Sequence, residues 1–377
     1  MNVSILTQPL HTNYGGTLQA FALQYILREI GCDPLTINYR RNVVPVNVVR
    51  QQISRLKQKI FKGKIIYPFS DDELSIIGEA HNNFIEKYIS YSKPVYDVST
   101  LNSLILERHS HAVIVGSDQT WRPRYSPRID SYFLDFLKDT DTPKKIAYAA
   151  SFGTDEWEFT PEQTALFSEL VKKFNNISVR ESSAVQLCNE HFDITPVHVL
   201  DPTLLLGVEV YMDLIRDCEP NHVGKVFNYV LDQCVEKNKV IEKTRCFLNR
   251  DSFSTYPKCT IKNKKYIHDY SDYIYPSIES WIRSFHDASF IVTDSFHGTV
   301  FSLIFNKSFI SIANETRGKA RFTSLLQMFG LEHRLVSSDD EITQTLINES
   351  IDYTAVNKRV NELRHFSFDF LRKSLLG

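Results

Sequence analysis

The sequence predicts an α/β protein of two domains, each built on a mostly parallel sheet with helices on both faces. Short apolar runs alternate with turns and helical periods, the pattern of strand–helix–strand units. The alternation breaks over 207–223 and resumes near Gly224. The chain, at 377 residues, is also longer than one hydrophobic core usually serves.

The first apolar run, 2–7, leads into the turn His11-Thr12-Asn13-Tyr14-Gly15-Gly16. The helix after it carries Leu18, Phe21, Ala22, Tyr25 and Ile26 on one broad face and stops at Gly31. Run 112–115 leads into Gly116-Ser117-Asp118-Gln119, and run 145–149 into Ala150-Ser151-Phe152-Gly153. Run 177–179 leads into Arg180-Glu181-Ser182-Ser183 and a helix, and run 198–200 into Asp201-Pro202-Thr203. Beyond the break, 225–231 reads as a strand, and Ile278, Trp281, Ile282 and Phe285 mark a helix before the strand 289–293. Asp294-Ser295-Phe296-His297-Gly298 then opens an apolar helix through Phe305. A last segment, 356–376, sets Leu363, Phe366, Phe370 and Leu371 at helical spacing. The expected domains are 1–206 and 207–350, with 351–377 a closing helix that packs back on the first.

Composition narrows the classes. With 42% hydrophobic and 23% charged residues the chain is an ordinary folded protein. A net charge of −2 argues against a nucleic-acid coat, so no nucleic-acid partner is expected. Six widely spaced cysteines make no C-x-x-C pair, which points to reduced thiols and to no metal site. The start lacks a basic leader region, and no apolar stretch approaches bilayer length. A cytoplasmic location is the expectation. Segment 40–64 holds eight Lys and Arg residues, interleaved with Ile53, Leu56, Ile60 and Phe61. It reads either as a solvated basic helix or as a peripheral contact with the anionic inner face of a membrane that presents a lipid-linked substrate.

In open parallel sheets, ligands sit in the crevice beyond the carboxyl ends of the strands. Asn13, Gly15, Gly16, Ser117, Asp118, Ser151, Arg180 and His297 all follow a strand-like run. At a strand-to-helix junction, unpaired N–H groups and the helix dipole attract phosphate or carboxylate. His297 there reads as a proton donor or acceptor, or else as a cap in a polar turn. Arg180 reads as a bidentate grip on an anion, or as a salt bridge with Glu181. The Asn-Tyr-Gly-Gly turn permits close backbone approach but is also a common turn. Asp118 with Trp121 reads as a carboxylate beside a sugar-stacking ring, or as an Asp turn beside a packed indole.

The same turns carry a resemblance. Asn-Tyr-Gly-Gly at 13–16, Gly-Ser-Asp-Gln at 116–119, Ala-Ser-Phe-Gly at 150–153, Val-Arg-Glu-Ser at 179–182, Asp-Pro-Thr at 201–203 and Ser-Phe-His-Gly at 295–298 together resemble the polysaccharide pyruvyl transferases. The resemblance implies two Rossmann-like domains with a central cleft, similar to GT-B glycosyltransferases. It implies transfer of an enolpyruvyl unit from phosphoenolpyruvate to two sugar hydroxyls, giving a cyclic pyruvate ketal and phosphate in a capsule or exopolysaccharide precursor. No cofactor is expected. Arg180 matches the family's donor-gripping arginine, and His297 its acid–base histidine. Asp118 and Glu181 are the further catalytic candidates. Ser295, Gly298, Arg317 and Arg321 join Arg180 around the donor, while Asn13, Gly15, Gly16, Ser117, Trp121 and Ser151 are assigned to the acceptor or the cleft. One departure stands out: many members carry arginine where this chain has Ser295, and Arg317, Lys319 and Arg321 are nearby candidates to compensate. Two other functions fit the same fold expectation: a GT-B glycosyltransferase using a nucleotide sugar, and a non-catalytic glycan-binding protein.

Overall fold

The computed structural model describes residues 1–41, 53, 69, 71–260, 270–314 and 318–377. All but a few residues of the basic segment 40–64 therefore lie outside the described residues, as does Arg317.

The first sheet contains β1 (Asn2–Leu6), β2 (Asp33–Thr36), β3 (Ala112–Val115), β4 (Lys144–Ala150), β5 (Asn176–Val179) and β6 (Val197–His198) in the order β2-β1-β3-β4-β5-β6. The second contains β7 (Val226–Tyr229), β8 (Ser252–Phe253), β9 (Phe290–Thr293), β10 (Ser308–Ile312) and β11 (Leu335–Val336) in the order β11-β10-β9-β7-β8. Every pairing is parallel. The strands read as apolar runs because both faces are covered: all four residues of β3 are buried.

The helices are α1 (Tyr14–Glu29), α2 (Asp71–Ile77), α3 (Glu79–Tyr88), α4 (Val98–Glu107), α5 (Pro161–Val171), α6 (Ser182–Phe192), α7 (Pro202–Leu205), α8 (Val208–Leu214), α9 (Val235–Leu248), α10 (Ile278–Asp287), α11 (Phe296–Ile304), α12 (Lys319–Gln327), α13 (Gln344–Asn348) and α14 (Tyr353–Leu376). Their starts follow capping chemistry. The Asn13 side chain accepts from the Gly16 N–H at the head of α1, and Ser295 accepts from the Gly298 N–H at the head of α11. At α5, Thr160 and Gln163 form a capping box with Pro161 in the first turn.

In each sheet the chain first steps to one side and then crosses to the other. The reversals fall between β1 and β3 and between β7 and β9. A crevice opens at such a reversal. One apolar core runs through both halves, and Tyr14 of α1 stacks on Trp281 of α10 at 5.3 Å, its hydroxyl donating to the Pro276 carbonyl. The two carboxyl edges are thereby held face to face.

Two segments differ from the sequence expectation. The stretch 207–223 is not featureless: it contains α8, where buried Tyr211 donates its hydroxyl to the Thr203 carbonyl. In α14 the buried stripe is Val356, Val360, Ser367, Leu371 and Leu375, whereas Phe366 is 52% exposed. The helix is turned because Ser367 sits at the contact, its hydroxyl accepting the Leu200 N–H. No helix among the described residues is long and apolar enough to cross a membrane.

Candidate active site

A cavity of about 240 Å³ lies between the two reversals. The first half supplies His11, Thr12, Asn13, Asp118 and Gln119; the second supplies Tyr229, Leu231, Tyr256, Tyr275, Asp294, Ser295, Phe296, His297 and Arg321. Asp294 builds its own side of the wall. It accepts from the Leu231 and Asp232 N–H groups and pairs with Lys237 Nζ at 2.6 Å, tying the loop after β7 to the end of β9.

Beneath the floor lies a charge cluster that joins the halves. Arg180, almost wholly buried, donates to Asp201 Oδ2 at 2.8 Å and to Asp118 Oδ1 at 3.3 Å, with Glu181 at 3.9 Å. Its guanidinium lies 4.4 Å from the Phe296 ring centre. His297 Nε2 is closed off from solvent and lies 3.6 Å from Asp201 Oδ2, an ion-pair distance. The Nδ1 edge of the ring rests on Gly15, where any Cβ would overlap it. Gly15 is therefore a packing glycine: its missing side chain admits His297 from the other half.

These neighbours set the charge states. Burial by itself would raise the Asp118 carboxyl, but Arg180, His297 and Arg321 outweigh it and hold Asp118 below the usual carboxylate range. Asp201 is likewise penalised by burial, yet His297, Arg180 and the Thr203 hydroxyl hold it far below that range. Both are carboxylates at neutral pH, which suits them to charge stabilisation or proton acceptance rather than proton donation. Burial and the Arg180 charge push Arg321 down to about 10, so it remains a cation on the cavity wall.

Several sequence assignments are corrected. Trp121 is fully buried, stacked on Phe133 at 5.2 Å, with its indole N–H given to the Tyr132 carbonyl; it is core, not a sugar platform. Glu181 is buried below the floor, accepting from the Ser151 hydroxyl and the Phe152 and Gly153 N–H groups. Ser151 is thus a structural partner of Glu181. Ser117 donates to the Ala149 carbonyl and is buried too. The N–H of Gly298 is taken by the Ser295 cap, and its Cβ position is filled by Thr293, so Gly298 serves helix packing rather than an incoming anion. Arg180 does not face the cavity, because carboxylates occupy its fork. Gly16 packs against the Asn13 cap, while Asn13 and Ser295 themselves line the cavity.

Sequence reasoning gave Asp201 no role, although it follows a strand run as the other candidates do. Tyr256 and Tyr275 were missed for a different reason: they lie in irregular segments with no strand-end signal. Among the described residues, no group of three or more His, Cys, Asp and Glu is placed to hold a metal ion.

Two Rossmann-like domains whose reversals face each other across a polar cleft define a GT-B-like protein. Solved structures share that fold. A UDP-N-acetylglucosamine 2-epimerase from Rickettsia bellii aligns with a TM-score of 0.53 at 11% identity, covering 99% of this chain and 95% of its own. A putative UDP-N-acetylglucosamine 2-epimerase from Listeria monocytogenes aligns with a TM-score of 0.51 at 8% identity, covering 97% and 90%. Arabidopsis thaliana UGT89C1 complexed with UDP-L-rhamnose aligns with a TM-score of 0.51 at 8% identity, covering 99% and 98%. A search of curated protein sequences finds no match. The chain belongs to the polysaccharide pyruvyl transferase family, whose profile matches residues 13–316.

Proposed function

We propose that this protein transfers an enolpyruvyl unit from phosphoenolpyruvate to two hydroxyls of a sugar in a polysaccharide precursor, forming a cyclic ketal and releasing phosphate. The observation that carries the reading is His297 held between two domains, with Asp201 behind one ring nitrogen and the cleft before the ring. In the proposed reaction, C3 of the donor takes a proton and C2 becomes oxocarbenium-like. A first sugar hydroxyl adds to C2 and gives up its proton; the C2–O bond to phosphate then breaks, phosphate leaving with the electron pair, and the second hydroxyl adds to C2 and passes its proton to the departing phosphate or to the base, closing the ring. His297 is the proton carrier. Asp201 is its positioning residue: from the Nε2 side it fixes the imidazole where the ring lines the cleft. The Asp118 carboxylate stabilises the cationic centre or accepts the hydroxyl proton, and Arg321 attracts the donor's phosphate and carboxylate. Arg180 acts indirectly, by fixing Asp118 and Asp201.

The test is phosphate release from phosphoenolpyruvate with a galactose-terminated acceptor, alongside titrations with nucleotide sugars. His297→Ala should lower turnover by about two to four orders of magnitude, the usual reach of acid–base catalysis. His297→Gln should bind donor better than it turns it over. Turnover retained by both variants, or donor activity with a nucleotide sugar alone, would sink the reading.

A further inference from the structure

Beside the first cavity lies a second, of about 310 Å³, and the two share His11, Asn13, Asp118 and Gln119 as a common rim. Its remaining walls are Gln8, Pro9, Arg41, Tyr125 and Pro127, all from the first domain. The first cavity is divided between domains and changes shape with any movement of one against the other. The second is walled by one domain alone.

This lobe is built rather than incidental. Tyr125 is 38% exposed, while its domain's other large rings near it, Trp121, Tyr132 and Phe133, are buried. The Arg122 and Arg124 guanidinium carbons lie 5.2 and 5.7 Å from the centre of the Tyr125 ring. The loop that carries Tyr125 is pinned from two sides. Gln8 Nε2 donates to the Gln119 carbonyl and to Ser126 Oγ, and Ser126 Oγ donates to the Thr120 carbonyl. Arg41 Nη2 donates to the Arg124 and Ser126 carbonyls, both at 3.0 Å. That contact uses one nitrogen and immobilises the fork; among the described residues, no hydrogen bond engages the rest of it. A held guanidinium beside an exposed ring and two prolines is a site for a ring with an anionic substituent.

We propose that this second lobe holds the acceptor, and that the acceptor is an anionic sugar: a pyranose packed on Tyr125 with a phosphate or a carboxylate on Arg41. This deepens the pyruvyl-transfer reading and rests on it for the word acceptor. From the shared rim, the sugar's hydroxyls reach Asp118 and the neighbouring donor, while the anionic group stays remote from the chemistry.

Calorimetry on the full chain tests it. The probes are the 1-phosphates of glucose, galactose and mannose, the matching hexuronates, the free hexoses, and phosphoenolpyruvate. At least one anionic sugar should bind about tenfold or more tighter than its free hexose, the effect of one charge-assisted contact. Arg41→Ala should erase that margin, and Tyr125→Ala should weaken every sugar, with phosphoenolpyruvate affinity unchanged in both. Arg41→Gln keeps a donor for the loop carbonyls without the charge, and should lose the same margin even if the alanine variant folds poorly. A larger margin for the 1-phosphates marks a sugar phosphate, and one for the hexuronates marks an acidic sugar. The proposal falls if no probe shows the margin, if the margin survives in Arg41→Gln, or if both variants weaken phosphoenolpyruvate as much as the sugars. Sugars behaving as expected in a protein that ignores phosphoenolpyruvate would sink the donor assignment and leave the lobe's binding chemistry standing.

Discussion

At Gly15 one absent methyl group decides where the His297 ring can lie. Because a Cβ there would overlap His297, Gly15→Ala should push the imidazole off the line to Asp201 while leaving α1 intact, since alanine favours helix. Turnover should drop by at least about tenfold, a misplacement effect, with thermal melting little changed. Unchanged turnover would show that the ring need not occupy this position. The glycine itself was legible in the sequence as one that permits close approach. What approaches it was not, because His297 lies far away in the chain and arrives only when the domains dock. The same limit hid Asp201, which with its partners Arg180 and His297 comes from three separate turns. Trp121 failed in the opposite direction: an indole next to a strand-end carboxylate looks the same in sequence whether it faces a sugar or Phe133.

Among the elements, the turns after the strands were legible because apolar period and turn residues agree, reinforced by side-chain caps at Asn13 and Ser295, and the signals at the ends of β1, β3, β5 and β9 sit where expected. The rotation of α14 was not, because a serine marks the centre of its contact and a phenylalanine its outer face. That contact has a measurable worth. Ser367→Ala would leave the buried Leu200 N–H without its partner and should cost about 1–3 kcal/mol in denaturant unfolding. A loss below about 0.5 kcal/mol would mean that the backbone relaxes to find another acceptor. Around it, Arg364 donates to the Leu204 and Leu206 carbonyls and Lys144 Nζ to the Leu375 carbonyl, while Tyr353 reaches the Ser302 carbonyl in the second half. One helix thus binds both halves.

For the molecule as a whole, acid is the informative stress. His81 is fully buried against Tyr14 and Tyr275, and neither of its ring nitrogens has a hydrogen-bonding partner among the described residues. Burial, with His11 nearby, pushes it down to about 3. The unfolded chain protonates this histidine near its ordinary value and the folded chain does not, so stability falls as pH drops from about 6.5 to about 3, by roughly 1.4 kcal/mol per unit. Asp201 adds a loss at lower pH: its depressed value stabilises the fold above about pH 4, and that contribution disappears as acid protonates it. His81→Phe should remove the first slope, gaining about 2 kcal/mol relative to the parent at pH 5 and little at pH 8. Parallel stability–pH curves for the two proteins would show that His81 is not the sensor.

The partition of the first cavity also bears on how such a protein can change over time. His297 belongs to one domain, while the groove that admits it and the carboxylate behind it belong to the other. Neither domain holds a working set of parts, so a substitution on one side is judged by what stands opposite. A recombination event that exchanged a whole domain would preserve both sheets and both cores and still separate His297 from the Gly15 and Asp201 that suit it. The second lobe escapes this bond, because its walls come from one domain alone. If that lobe holds the acceptor, as proposed, preference for a sugar can drift while the residues around His297 stay fixed.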